Sequence, residues 1–363
     1  MRVRPRLLQV EQRAEELRTP GEPFPAVRRL IVVRDDRLGD LVTSLPAVDA
    51  LRRTYPRARL ACLVQPALVP LARMVRAVDE VLSAHADPAR LQLEIEAFDA
   101  DLMVCISRGA ATPRAAARAG VKRRVGTGYR VYSPMFTRTV RERRRGGGRH
   151  EVEYALSFAH RSGAAPAPAS FPLAVPDSAA ASAADWLSAC GVAGPFVVLH
   201  PGSGGSCPRW PAECFVQLAL ELLAAGRRVV LSIGPEDGWC EALLEQSPPD
   251  VRRLPRFTGG LETLPALLGR AALLVGSSTG PLHLAAALGT ATLGLYAPWP
   301  TCGVTRWGPY ASNGWALVAE CEEALGWSRR ERRLLGGELL GGIRPDLVAG
   351  CAVSLSAGDS PEL

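Results

Sequence analysis

The octapeptide Gly276-Ser277-Ser278-Thr279-Gly280-Pro281-Leu282-His283 lies between an apolar run, Ala271–Val275, and an alanine- and leucine-rich segment, Leu282–Leu288. A strand that enters a glycine-flanked turn and opens a helix is a ready anion site. The first backbone N–H groups of the helix lack intrahelical partners, and the helix dipole places partial positive charge on the same spot. Pro281 suits the first helical turn, where a missing N–H costs nothing. Thr279 and His283 are four residues apart and share one helical face beside that site. The same residues also fit an ordinary capped helix with a structural histidine. Gly276–Gly280 matches G-x-S-x-G, the nucleophile elbow of α/β-hydrolases, but that fold needs an acid and then a histidine later in the chain. His283 is the only histidine after Ser278, one turn along the same helix, so a hydrolase is not expected.

Outward from this turn, strand and helix patterns alternate. Strands are expected at Phe196–His200, Arg228–Ile233, Val251–Leu254 and Thr292–Tyr296, with helices at Ala212–Ala225, Gly238–Gln246 and Thr263–Arg270. The N-terminal half repeats the alternation. Strands Leu30–Arg34, Arg59–Val64, Asp101–Ile106 and Arg123–Gly126 are interleaved with helices Leu41–Arg53, Pro66–Val75 and Glu151–Ser162. Such alternation specifies parallel, doubly wound sheets, whose ligands bind beyond the carboxyl ends of the strands. The turn Asp35–Asp40 lies at that end of the first strand. An Ala-, Ser- and Pro-rich stretch from Gly163 to Ala184 marks the boundary between the two series. The expected layout is an N-terminal extension at 1–28, with Arg6–Arg18 as a charged helix, and two Rossmann-like α/β domains at 29–176 and 177–345. Their parallel sheets face across a cleft, and a closing helix near Pro345–Leu355 lies in a tail at 346–363.

The 363 residues are 47% hydrophobic and 22% charged, enough for sizeable cores and against disorder. No apolar run reaches the length of a membrane span, and Met1–Gln12 lacks the apolar core of a secretory signal, so a cytoplasmic location is expected. The nine cysteines are scattered, without the close spacing of a zinc site, and no metal is expected. The net charge of +7 comes almost wholly from arginine, Lys122 being the only lysine. That excess permits anionic partners, including a membrane surface. The run Arg141–Arg149 reads as a glycine-flanked loop; nucleic acid, which it alone would serve, is not an expected partner. A Walker A loop is absent, and Gly202-Ser203-Gly204 begins a dinucleotide fingerprint that fails at Cys207. His150-Glu151 lacks the second histidine of H-E-x-x-H.

Four segments in order resemble glycosyltransferase family 9, the lipopolysaccharide heptosyltransferases. They are Val32–Ala47, with Arg37-Leu38-Gly39-Asp40 at its heart; His200-Pro201-Gly202-Ser203 followed by Arg209-Trp210-Pro211; Gly234-Pro235-Glu236; and Ser277–Thr290 followed by Arg306-Trp307-Gly308-Pro309. The resemblance implies a GT-B fold and inverting sugar transfer from a nucleoside diphosphate sugar, typically ADP-heptose, with no cofactor or essential metal. It implies a lipopolysaccharide-core or other anionic glycan or glycolipid acceptor on the N-terminal domain, with peripheral contact at the cytoplasmic membrane face. Asp40 matches the family's catalytic base, a role that suits a carboxylate because a sugar hydroxyl must lose its proton as it attacks. Asp40 would equally suit an N-cap. Asp36, Arg37 and Gly39 fall on the acceptor side. Gly202, Ser203, Arg209, Glu236, Gly259, Ser278, Thr279, Gly280 and His283 fall on the donor side, Glu236 at the nucleotide, where a carboxylate can accept two bonds from a ribose diol. Two positions depart from the family pattern: Ser278 stands where many members carry aspartate, and Pro208 where many carry lysine, with Arg209 one place later.

Overall fold

The computed structural model describes residues 1–10, 21–142, 144, 148–205 and 207–361. Its strands are β1 (Arg4–Gln9), β2 (Arg29–Arg34), β3 (Arg59–Val64), β4 (Glu80–Ser83), β5 (Leu102–Cys105), β6 (Arg123–Thr127), β7 (Arg138–Val140), β8 (Phe196–His200), β9 (Arg228–Ser232), β10 (Arg256–Phe257), β11 (Leu273–Ser277), β12 (Ala291–Tyr296) and β13 (Gly314–Glu320). The chain divides into two units, Arg13–Ala174 and Met1–Gln12 with Val175–Leu363.

In the first unit six parallel strands run in the order β4-β3-β2-β5-β6-β7. Counted from β2, this is the doubly wound order 3-2-1-4-5-6. Leu30–Val33, Leu60–Val64 and Leu102–Cys105 are continuous buried apolar runs, as strands covered on both faces must be. One layer is built on Ile31, Val33, Leu63, Met103, Ile95 and Phe98, the last two from the helix Pro88–Phe98. The helices Leu38–Thr54 and Glu151–Arg161 bury most of their residues.

The second unit repeats the plan. Its sheet runs β1-β13-β12-β11-β8-β9-β10, and β8 to β13 are parallel in the same order counted from β8. The seventh strand, β1, lies antiparallel on β13 at the edge. It falls where the sequence pattern predicts the start of a charged helix, and the rest of that segment, 11–18, lies outside the described residues. The partner of β1 is more than 300 positions away, so no local periodicity signals it. Pro5 fits there because an edge strand has a side on which no N–H is needed. A second difference concerns Val251–Leu254. Pro248, Pro249 and Asp250 start a short helix, Pro249–Arg252, and the strand is displaced to β10. Val251 and Leu254 are both buried, at the three-residue spacing of a helical turn.

The closing helix, Pro345–Ala357, follows another, Arg329–Gly341, and together they place Leu339, Leu340, Val348 and Ala352 in the core of this unit. No single described helix is long and apolar enough to cross a membrane.

Candidate active site

In a sheet of order 3-2-1-4-5-6 the chain leaves strands 1 and 4 in opposite directions, which opens a crevice at their carboxyl ends. In the first unit those strands are β2 and β5. The last residue of β2 is Arg34, whose guanidinium is fully buried. Its Nη2 donates to Asp40 Oδ1 at 2.8 Å and to Glu151 Oε1 at 3.3 Å. Its Nη1 donates to Asp36 Oδ2 at 2.9 Å and to the Ile106 carbonyl at 3.3 Å, and its Nε to the Asp40 carbonyl at 3.0 Å. Burial works against the Arg34 charge, but Asp40, Glu151 and Asp36 outweigh it and raise its pKa above the ordinary value. For Asp36 the balance tips the other way. Burial raises its pKa, Arg34 pulls it back, and Asp40 and Asp35 add to the rise.

Asp40 is not a helix cap. The cap of Leu38–Thr54 is Arg37, which makes no side-chain capping bond, and Asp40 sits one residue after Gly39 in the first turn. Its side chain is 17% exposed, with Oδ1 on Arg34; among the described residues Oδ2 takes no hydrogen bond. Asp36, beside it on Arg34, and the exposed Arg37 are brought to the same edge. Asp35, by contrast, is tied into the frame, its N–H donating to Ser107 and its carboxylate accepting from Thr112. The basic run has its own counter-charges. Arg144 pairs with buried Glu151 at 2.7 Å, and Arg149 pairs with Glu142 and Glu153. Neither Arg34 nor Glu151 carries a motif of its own in the sequence. The available signal was a charge ending an otherwise apolar strand, a position buried by topology.

In the second unit the equivalent crevice lies between β8 and β11, where His200 stands opposite Gly276. The donor-side positions of the sequence collect along this edge. Gly202 and Ser203 follow β8, Glu236 follows β9, Gly259 follows β10, and Ser278, Thr279 and Gly280 follow β11. Gly202 is needed for packing here: a Cβ on it would lie 2.0 Å from Asp237 Oδ2, and one on Gly234 would lie 2.8 Å away. Asp237 is buried and accepts from the Gly234 N–H at 3.2 Å and from Trp239 Nε1 at 3.4 Å. The Arg209 guanidinium lies 3.9 Å from the centre of the Trp239 ring. Glu236, in the same turn, is exposed. Asp237 was not singled out in sequence, where the neighbouring Glu236 carried the motif. His200 is buried, with Nδ1 3.0 Å from the Ser232 carbonyl. Burial lowers its pKa against the pull of Asp237 and of that carbonyl, so its ring is neutral.

The helix that begins within the octapeptide is Gly280–Ala287, capped by Thr279 in extended conformation without a side-chain capping bond. Thr279 Oγ1 is buried and has no hydrogen-bond partner among the described residues. Ser277 is committed to structure, accepting from the Trp210 N–H at 3.1 Å. Ser278 is buried and its hydroxyl meets that of Tyr296, which donates to the Trp307 carbonyl at 2.6 Å. His283 is buried, its ring 5.9 Å from that of Trp307, and the buried Arg306 lies with its guanidinium 5.1 Å from the centre of the same Trp307 ring. Gly259 adjoins Phe257 and Thr263. This edge therefore brings together the unpartnered Thr279 hydroxyl, the N-terminus of Gly280–Ala287, the Arg209 guanidinium and the exposed Glu236, and the β2 edge presents carboxylates gathered on Arg34.

The model of glycosyltransferase family 9 (heptosyltransferase) matches residues 110–332. A provisionally named glycosyltransferase of Haemophilus influenzae is 26% identical over 298 residues, which cover 78% of this chain and 86% of that protein. The solved family 9 glycosyl transferase of Veillonella parvula superposes with a TM-score of 0.79 at 20% identity, covering 92% of this chain and 98% of its own. Escherichia coli ADP-heptose lipopolysaccharide heptosyltransferase II gives 0.74 at 18% identity, over 91% and 99%. These likenesses show the fold, a GT-B type α/β architecture of two Rossmann-like units. The chain belongs to glycosyltransferase family 9 and is a glycosyltransferase of the heptosyltransferase type.

Proposed function

We propose that this enzyme moves heptose or a closely related sugar from a nucleoside diphosphate donor to a hydroxyl of a lipopolysaccharide-core or other anionic glycan or glycolipid, with inversion. The observation that carries this reading is the Asp40 carboxylate, held by Arg34 through one oxygen with the other open. In a single displacement the acceptor oxygen bonds to the anomeric carbon as the bond to the diphosphate breaks, and Asp40 takes the hydroxyl proton. The leaving diphosphate gains charge. N–H groups at the start of Gly280–Ala287, the Thr279 hydroxyl and the Arg209 guanidinium are suited to meet it. Glu236 is assigned to the nucleotide ribose, and Gly202, Ser203, Gly259 and His283 to the walls of the donor site. Because chain groups answer the leaving-group charge, we assign no cofactor or metal. The donor class is supported by the related Escherichia coli heptosyltransferase WaaC, solved with ADP and with ADP-2-deoxy-2-fluoro heptose. The same reading places the enzyme in the cytoplasm, with peripheral contact at the membrane face where it takes a lipid-linked acceptor.

A second reading is a family member that binds nucleotide-sugar or glycan without transferring it. It is favoured by Ser278, which is buried against Tyr296 where many members carry an acid. A panel of sugar nucleotides separates the two. A ligand that binds only the folded chain raises its melting temperature, and the stabilising donor is then offered with candidate acceptors. We expect turnover in the wild type. In Asp40→Asn the nucleotide-induced stabilisation should survive, and turnover should fall by about 10²–10⁴, the usual contribution of a general base. Wild-type turnover in Asp40→Asn would remove the base, and turnover with any donor would remove the second reading.

A further inference from the structure

The Arg34 guanidinium is planar, so the direction of each of its N–H bonds is fixed by the others. One edge is committed to Asp36 and the Ile106 carbonyl, and Nε to the Asp40 carbonyl. Nη2 divides between two carboxylates, Asp40 on the helix Leu38–Thr54 and Glu151 on the helix Glu151–Arg161. Glu151 is fully buried. Nothing in its own helix calls for a charge there, since the N-terminus is closed by a capping box of His150 and Glu153. An acid in the first turn gains a little from the helix dipole, but a buried carboxylate is costly, and apolar replacements of buried ion networks are often neutral or stabilising. Stability therefore does not account for Glu151.

We infer that Glu151 is a positioning residue for sugar transfer: its buried charge, acting through Arg34, sets where the Asp40 carboxylate points and how readily it takes a proton. This rests on the assignment of Asp40 as the base. Without Glu151 the full charge of Arg34 falls on Asp36 and Asp40, so Asp40 holds its negative charge more firmly and becomes a weaker base. Arg144, at 2.7 Å from the same Glu151 oxygen, acts in the opposite sense by drawing Glu151 away from Arg34. Among the described residues, Asp35, Arg108, Cys105 and Tyr132 also face this network.

The test is a titration that needs no substrate. The Asp40 carboxyl carbon is followed by NMR in the full-length protein labelled at aspartate, with Asp40→Asn identifying the resonance. Glu151→Gln, which keeps the shape and removes the charge, should move the Asp40 midpoint to lower pH. Arg144→Gln should move it to higher pH. With ADP-heptose as donor, Glu151→Gln should lower kcat about tenfold at unchanged donor KM, as removal of an interaction that matters in the transition state does. A merely structural Glu151 would lower the melting temperature and leave the Asp40 midpoint where it is in the wild type, and that result would overturn the inference. If Glu151→Gln does not fold, Arg144→Gln carries the test, and an unmoved midpoint there overturns it equally. Full turnover in Asp40→Asn would instead defeat the base assignment, and the titration would still report whether Glu151 governs Asp40.

Discussion

The two halves of this enzyme use the same strand order and put opposite chemistry at the same place in it. At the β2 edge a buried cation gathers three carboxylates, one of them, Asp40, with an oxygen left open. At the β8 edge the groups next to the strand ends are a neutral imidazole and uncharged hydroxyls, and the buried Asp237 is met by the Gly234 N–H and the Trp239 indole rather than by a buried cation. The topology fixes only where a ligand can sit. What it meets there depends on a few residues at strand ends: Arg34 in one unit, His200 in the other. A guanidinium inside a fold must be answered by counter-charges, so the β2 edge is tightly interlocked. Neutral donors can stand open until a ligand arrives.

The sharpest way to break that contrast is Arg34→Ala. It takes the counter-charge from part-buried Asp40 and Asp36 and leaves fully buried Glu151 to Arg144, and loss of one partner from a buried pair costs up to about 3–5 kcal/mol. All seven tryptophans lie beyond residue 174, so their fluorescence reports only the second unit. Circular dichroism in urea should show an early transition that tryptophan fluorescence does not. Coincident, wild-type transitions by both probes would mean that the carboxylates find solvent and that the network is not closed.

Gly202→Ala probes the other edge. The added Cβ must displace Asp237, and with it the bonds to Gly234 and Trp239. Overpacking of this kind costs about 1–3 kcal/mol, here in the tryptophan-reported transition. Asp237→Ala in the same chain should recover part of the loss, because it removes the atom that is struck. If the double variant is no better than the single, the strain lies elsewhere.

His200 gives a smaller effect, conditional on pH. Its folded-state pKa lies below the ordinary 6.5 because the ring is buried. Below that value the unfolded chain binds a proton that the folded one refuses. The stability at stake is therefore complete above about pH 6.5 and is lost as the pH falls, by about 1.4 kcal/mol for each unit between the two values. The second unit of the wild type should lose more stability than His200→Gln between pH 7.5 and 5. Parallel profiles would show that the ring is charged or solvated in the folded protein.

Much of both edges was legible in the residues. Apolar runs give the strands, glycine turns after them give the carboxyl ends, and Asp40 and Thr279 fall at the mouths of the two crevices. Three features were not legible, each for a physical reason. β1 pairs with a strand at the far end of the chain. Glu151 meets Arg34 across 117 positions, and a glutamate at the start of a helix looks like any solvated first-turn acid. Asp237 is hidden behind its neighbour Glu236 because which of two adjacent acids turns inward is decided by a glycine 35 positions upstream, whose missing side chain leaves the space.

Thr279→Val is the quietest change to the free protein and the most informative about the β8 edge. The two side chains have the same shape, and the extended backbone at this position suits both. Replacing a bonded buried hydroxyl by a methyl group leaves its partner unsatisfied and costs about 1–3 kcal/mol. Thr279 Oγ1 has no partner among the described residues, so its removal should change the stability of the second unit by less than about 0.5 kcal/mol, or raise it. The effect should surface only with a nucleoside diphosphate present, as a smaller rise in melting temperature than in the wild type. The matching change at the β2 edge, Asp36→Asn, alters a group already bound to Arg34 and cannot be silent in the same way. If Thr279→Val destabilises the free protein as much as an ordinary lost hydrogen bond, the hydroxyl is part of the frame, and the second crevice is as closed upon itself as the first.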